Sequence, residues 1–240
     1  LEGQRQRGDQ EGQTFTKKVN QEVLPTFLSL ADDPTLKQLN GVELSGWYDF
    51  DDEGVPAQRT EVVQDGILRQ FLMSRMPIKG FAKSNGHGRA QDNYPPVARQ
   101  GNLIVTSTKT VPDAKLRDLL IAEVKKQNKP YGLYFEDIAG GFTLTSRQLP
   151  QAFQVLPLMV WRVYPDGRPD ELVRGVDIVG TPLASLNRLV LTGDTTQVFN
   201  GMCGAESGYV AVSAASPAIL FSELEVQKKA KSNTRPPILP

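Results

Sequence analysis

Thr60-Glu61-Val62-Val63-Gln64-Asp65-Gly66-Ile67-Leu68-Arg69-Gln70-Phe71-Leu72-Met73 reads as two strands joined by a two-residue turn. Asp-Gly suits the turn whose twist matches that of the flanking strands. The pattern returns across Tyr164-Pro165-Asp166-Gly167-Arg168-Pro169, which predicts a hairpin joining residues 156–163 to 171–179. Residues 102–108, 131–135, 142–146, 209–214 and 218–226 are rich in branched and aromatic side chains and read as further strands. One helix is well signalled: Pro112 and Asp113 open it, and Leu116, Leu119, Leu120 and Val124 form its apolar stripe. A shorter helix is expected over 182–188. The fold class that follows is α+β and β-rich. It is a mostly antiparallel system, curled or barrel-like, with one well-defined helix and a few short ones.

The totals are those of a globular protein. A chain of 240 residues can bury a sizeable core. Twenty-seven basic residues balance twenty-seven acidic ones, so no global field recruits nucleic acid or an anionic membrane. No apolar run approaches the roughly 20 residues that a membrane span needs. We expect one domain over 1–227, with a polar, poorly ordered start through about residue 12. A basic and then Pro-rich tail over 228–240 follows it. The first residue is Leu1 rather than Met, which reads as a fragment or processed product, so the native start and any targeting signal are left open.

Three places carry chemistry. Cys203 is the only cysteine and lies in Asn200-Gly201-Met202-Cys203-Gly204-Ala205-Glu206-Ser207-Gly208, read as a Gly-rich loop before an apolar strand. A single thiol forms no internal disulfide, so it is a packed core group, a ligand or a nucleophile. Asn85-Gly86-His87-Gly88-Arg89 holds the only histidine. It is either a structural turn or a substrate-contacting loop in which Arg89 grips a carboxylate. Asp49-Phe50-Asp51-Asp52-Glu53-Gly54 has the acids of half a calcium loop. The twelfth position is Thr60 where that loop needs a bidentate carboxylate, so a solvated acidic turn is preferred. No Gly-x-Ser-x-Gly elbow occurs, and the spacing of Cys203 and His87 supports no zinc site within the chain alone.

Asp51-Asp52-Glu53-Gly54-Val55-Pro56-Ala57-Gln58, the Asp65-Gly66 hairpin, Gly86-His87-Gly88-Arg89, Val173-Arg174-Gly175-Val176 and Met202-Cys203-Gly204 occur in that order. Together they resemble the C-terminal part of the TldD/PmbA family of zinc metalloproteases, also called modulators of DNA gyrase. In the TldD branch a helix bearing His-Glu-x-x-x-His runs directly into Arg-Leu-Glu-Gly, and this chain opens Leu1-Glu2-Gly3. The resemblance implies that two histidine ligands and the general-base Glu lie upstream of Leu1. It implies that Cys203 is the third zinc ligand, with one position left open. It also implies an extended or unfolded peptide substrate, a homo- or heterodimer with a family member, and a cytoplasmic setting.

A strand-like substrate suits a β-rich domain, and Gly140-Gly141 is where a backbone could approach closely. His87 stands where some members have Asn, so it is not an obligatory ligand. Ala205-Glu206-Ser207-Gly208 departs from the Lys, acid, Gly and Gln that many members carry after Cys-Gly. A non-catalytic PmbA-like partner subunit and a β-rich peptide-binding module are the alternative readings.

Overall fold

A computed structural model describes residues 1–6, 15, 17–144 and 152–229. Its strands are β1 (Leu28–Asp32), β2 (Gln38–Leu39), β3 (Val42–Glu43), β4 (Thr60–Gln64), β5 (Ile67–Leu68), β6 (Gly88–Arg89), β7 (Val97–Ala98), β8 (Asn102–Ser107) and β9 (Thr110–Val111). After helix α1 (Asp113–Lys126) come β10 (Gly132–Leu144), β11 (Ala152–Val163), β12 (Glu171–Val173) and β13 (Val176–Gly180). Helix α2 (Pro182–Leu186) is followed by β14 (Leu189–Ala205), β15 (Gly208–Phe221) and β16 (Glu225–Lys228).

The chain divides into two compact units. The first takes residues 1–116 and 189–221 among its described parts, the second 117–144, 152–188 and 222–229. The first holds a seven-stranded sheet in the order β5-β4-β1-β8-β15-β14-β9. Pairing is antiparallel except where β15 meets β8 and β14 meets β9. Leu28, Leu30 and Ala31 of β1, Val62 and Val63 of β4, Ile104 of β8, and Val210, Val212 and Ala215 of β15 are buried. This sheet therefore hides much of its apolar content. The second unit is a five-stranded sheet in the order β10-β11-β13-β16, with β12 also on β11.

The fold class agrees with the sequence, except that the sheets are open and close no barrel among the described residues. The Asp65-Gly66 turn is as read, with φ of 48° and 79° at its two residues. Its second strand stops at Leu68 because the chain then turns away to dock Leu72 against the N-terminal segment. The stretches near 131–135 and 142–146 are one strand, β10, broken by three register shifts. Its expected end at Ser146 lies outside the described residues. In α1, Val124 is the buried member of the stripe, and Gly132 leaves room for Leu120 and Val124.

The polar start is a difference with a clear cause. Residues 3–6 form a 3-10 turn, Glu2 bridges Leu72 in parallel, and the Gly3 amide donates to Leu72 O at 2.8 Å. The Gln4 side chain donates to Ala98 O at 3.0 Å and accepts from the Ala98 amide at 3.1 Å. Polar side chains here replace strand pairing rather than solvate a loose end. Residues 7–12 of the expected loose start and 230–240 of the expected tail lie outside the described residues.

Candidate functional site

Cys203 is on a strand, not in a loop. It lies near the end of β14, opposite Val210 of β15, and its thiol is free and half-buried. The glycines that suggested a loop are strand positions covered by aromatic rings: Phe199 lies over Gly201 and Tyr209 over Gly204. The turn that closes the hairpin is Glu206-Ser207.

One buried guanidinium holds this hairpin. Arg99 donates from Nη1 to Ser207 Oγ at 2.8 Å and to Gly208 O at 3.1 Å, and from Nη2 to Cys203 O. Its Nε faces Glu2 Oε1 at 3.4 Å. Arg5 pairs with Glu2 at 3.0 Å and also with Glu206 at the hairpin tip. Residues 1–6 are thus tied twice to the end of the Cys203 hairpin. Arg99 is 0% exposed, so its charge depends on these partners for compensation.

The Arg99 amide donates to His87 O at 2.9 Å, which brings the histidine segment to the same region. His87 is buried. Its Nδ1 lies 2.9 Å from both Asn85 O and Asn85 Oδ1, and its Nε2 lies 3.3 Å from Asp32 Oδ1. Asp32, also buried, accepts the Gly101 amide on both oxygens at 3.0 Å and the Asn102 amide at 3.1 Å. Arg89 donates from Nη1 to Gln100 O and Ala211 O, each at 2.7 Å, and its guanidinium lies 4.8 Å from the Tyr48 ring centre. Burial pulls the Arg89 pKa down, and burial pushes that of Tyr48 up, so the phenol stays neutral and donates to Gly86 O at 2.8 Å.

The acidic turn is solvated in part, as expected at Asp49 and Asp52, which are exposed, while the carboxylates of Asp51, Asp52 and Glu53 also bind backbone amides. Asp51 is buried and accepts the Glu53, Val55 and Gly88 amides, while Asp52 accepts the Ala90 amide at 2.7 Å. Each of these bonds satisfies a main-chain donor that a tight turn leaves without a ladder partner.

His87, Arg89 and Cys203 therefore belong to the first unit. Gly140 and Gly141 belong to the second, on β10 opposite Leu156 and Val155 of β11. Gly140 has φ of 149° and open space around it, whereas a Cβ on Gly141 would lie 2.5 Å from Gln154 O. Among the described residues no three His, Cys, Asp or Glu side chains cluster to hold a metal ion. In kind, the Cys203 thiol suits a thiophilic metal. Sequence reading missed Arg99 and Asp32. A lone arginine after Pro96-Val97-Ala98 and an aspartate ending an apolar strand carry no motif.

Residues 5–228 match the family described as the PmbA/TldA metallopeptidase C-terminal domain. A metalloprotease of Archaeoglobus fulgidus is 29% identical over 211 residues, covering 88% of this chain and 45% of that protein. A TldD homologue of Haemophilus influenzae, named a metalloprotease, is 26% identical over 231 residues, covering 94% and 43%. The chain spans less than half the length of these relatives. Among solved structures, TldE of Thermococcus kodakarensis superposes with a TM-score of 0.60 at 16% identity, over 89% of this chain and 42% of that one. A Thermotoga maritima protein described as a candidate modulator of a DNA gyrase gives 0.64 at 18% identity, over 95% and 45%. At these identities the two structures show a shared fold.

Proposed function

The chain belongs to the PmbA/TldD metallopeptidase family, over its C-terminal domain, and from that premise we propose that it donates the cysteine ligand of a TldD-like zinc metallopeptidase acting on extended peptides. Cys203 is the ligand this chain supplies. Two histidines and a general-base Glu come from the segment upstream of Leu1. The whole domain, 1–227, serves as the scaffold that carries the ligand. Bound zinc supplies Lewis acidity toward a peptide carbonyl and toward water.

The observation that carries this reading is the meeting of the chain's first residues with the Cys203 hairpin. Glu2 faces Nε of the Arg99 guanidinium and Cys203 O accepts from its Nη2, and Arg5 reaches Glu206. A ligand helix running directly into Leu1-Glu2-Gly3 would end at the Cys203 hairpin. The chain's own residues then have definable tasks. Arg99 and Arg5 hold the hairpin to the N-terminal segment, and His87, Arg89 and Asp32 fix the backbone beneath it.

The substrate is an extended peptide held by main-chain bonds. β10 is the outer strand of its sheet among the described residues, and Gly140-Gly141 lies on that edge. His87 and Arg89 act on substrate through the backbone they fix. The protein works in the cytoplasm as a homo- or heterodimer with a family member, and neither nucleic acid nor membrane is its partner.

Zinc content by elemental analysis tests the reading, comparing this chain with one extended upstream through the histidine segment. Stoichiometric zinc only in the extended form, lost on Cys203→Ser, is the expected result. An extended form without zinc overturns it and favours a non-catalytic partner subunit.

A further inference from the structure

Cys203, Ser207, Gly208 and Glu2 converge on one side chain, and that side chain is buried in full. We propose that Arg99 is a positioning residue for metal binding, fixing where the Cys203 hairpin stands relative to the segment that enters at Leu1. The inference rests on Cys203 being a ligand.

The geometry singles out Arg99 among the residues that hold the hairpin. Hydrogen bonds between β14 and β15 fix Cys203 against Val210, and Gln91 holds the tip through Ser207 O and the Tyr209 amide, but these bonds alone set no distance to the N-terminal segment. Only a group that touches both can set that distance. The planar fork of Arg99 does so with fixed angles between its arms, bonding both strands of the hairpin and facing Glu2 with Nε. Arg5 is the weaker link, since it and Glu206 are both partly exposed to water. A thiolate and imidazoles drawn from distant parts of a chain must reach tetrahedral positions within a few tenths of an ångström. A tilt of the hairpin costs affinity before it costs folding.

The test uses the complete protein, with Co(II) as probe, following the thiolate-to-cobalt charge-transfer band and the dissociation constant against a competing chelator. Arg99→Lys keeps the charge and loses the fork. Glu2→Gln keeps the shape, removes the ionic partner, and alters a side chain with some solvent contact, so it decides the matter if Arg99→Lys fails to fold. Both are expected to weaken Co(II) binding by roughly tenfold to a hundredfold. The band should persist at saturating metal, with the apo protein's melting temperature shifted far less for Glu2→Gln than its affinity suggests. Cys203→Ser should abolish the band. If Cys203→Ser loses the band while Glu2→Gln and Arg99→Lys bind Co(II) as tightly as the parent, the positioning role is wrong and the ligand reading stands. If Cys203→Ser changes neither band nor affinity, both fall.

Discussion

The Gly88 amide donates to Asp51 Oδ2 at 2.9 Å, across 37 residues of chain. That bond joins two stretches that look like separate motifs in the sequence, the acidic turn and the Gly-His-Gly segment. Around it the Asp52 amide donates to Gly88 O, Asp52 accepts the Ala90 amide, and Glu53 accepts the Arg75 amide at 2.6 Å. The two motifs are one knot, and its product is a fixed backbone from His87 to Ala90.

The knot makes two glycines unequal. Gly86 has φ of 75°, and a Cβ there would lie 2.3 Å from Pro56 O, a backbone atom that cannot swing away. Gly86→Ala should cost about 2–3 kcal/mol from backbone strain and crowding. A Cβ on Gly88 would meet Glu53 Oε2 at 2.3 Å instead, the end of a side chain. Gly88→Ala should cost about 1 kcal/mol, chiefly by disturbing the Glu53 bond to Arg75. Urea denaturation of Gly88→Ala, Glu53→Ala and the double variant checks this. The double should cost less than the sum of the singles, and strict additivity would show that Glu53 does not limit position 88.

Asp32 and His87 form a buried pair whose loss should be felt as instability of the first unit. With both side chains at 0% exposure, truncating either leaves the other facing a buried void. Asp32→Ala also strips the Gly101 and Asn102 amides of their acceptor, so it should be the worse change. We expect about 3–5 kcal/mol for Asp32→Ala and somewhat less for His87→Ala. Chemical denaturation followed by tryptophan fluorescence measures both. A His87→Ala protein as stable as the parent would remove the pair from the account of the fold.

In the second unit, Tyr164 Oη donates to Glu171 Oε2 at 2.6 Å, and Arg162 donates to the same oxygen at 3.1 Å. The bond from Tyr164 holds the Glu171 pKa below its ordinary value, with Arg162 adding to it, and the same bond raises that of Tyr164. The signs oppose each other. A depressed carboxylate contributes stability above its unfolded value near 4.5 that is lost as pH falls through the folded value. A raised phenol contributes below its unfolded value near 10.0 and loses that contribution as pH rises through the folded value. Tyr164→Phe should therefore move the Glu171 carboxyl titration upward, read from its carbon chemical shift against pH. An unmoved midpoint would mean that water displaces the phenol.

Much of the fold is legible because it is written locally. Asp65-Gly66 fixes a turn, and Pro112-Asp113 followed by a leucine stripe fixes a helix. The misread elements depend on partners distant in sequence. Gly201 and Gly204 look like loop residues until Phe199 and Tyr209 are seen to cover them, and Glu2 looks solvated until Arg99 reaches it from 97 residues away. Cys203 stood out because it is the only thiol. Arg99 did not, because nothing in its neighbours announces that a guanidinium will be buried there. Periodicity reports which face of an element is apolar, and it is silent about which polar groups will pair across the sheet.

Gly140 and Gly141 give the sharpest way to separate substrate contact from strand packing on β10. A side chain on Gly141 would press on Gln154 O within the hairpin itself, so Gly141→Ala should lower stability whether or not a peptide ever binds. Gly140 has nothing within 4 Å to meet, and its cost is backbone strain of about 1–3 kcal/mol. If an extended peptide lies along this edge, Gly140→Val in the complete protein should hinder its approach and cost it a main-chain hydrogen bond. At about 1 kcal/mol that bond corresponds to roughly a fivefold rise in KM, with kcat changed much less. Working well below the melting temperature keeps the strain out of the comparison. A Gly140→Val protein with unchanged KM, beside a Gly141→Ala protein that is merely less stable, would move the peptide off β10. The edge of β14 beside Cys203 would then be the place to look.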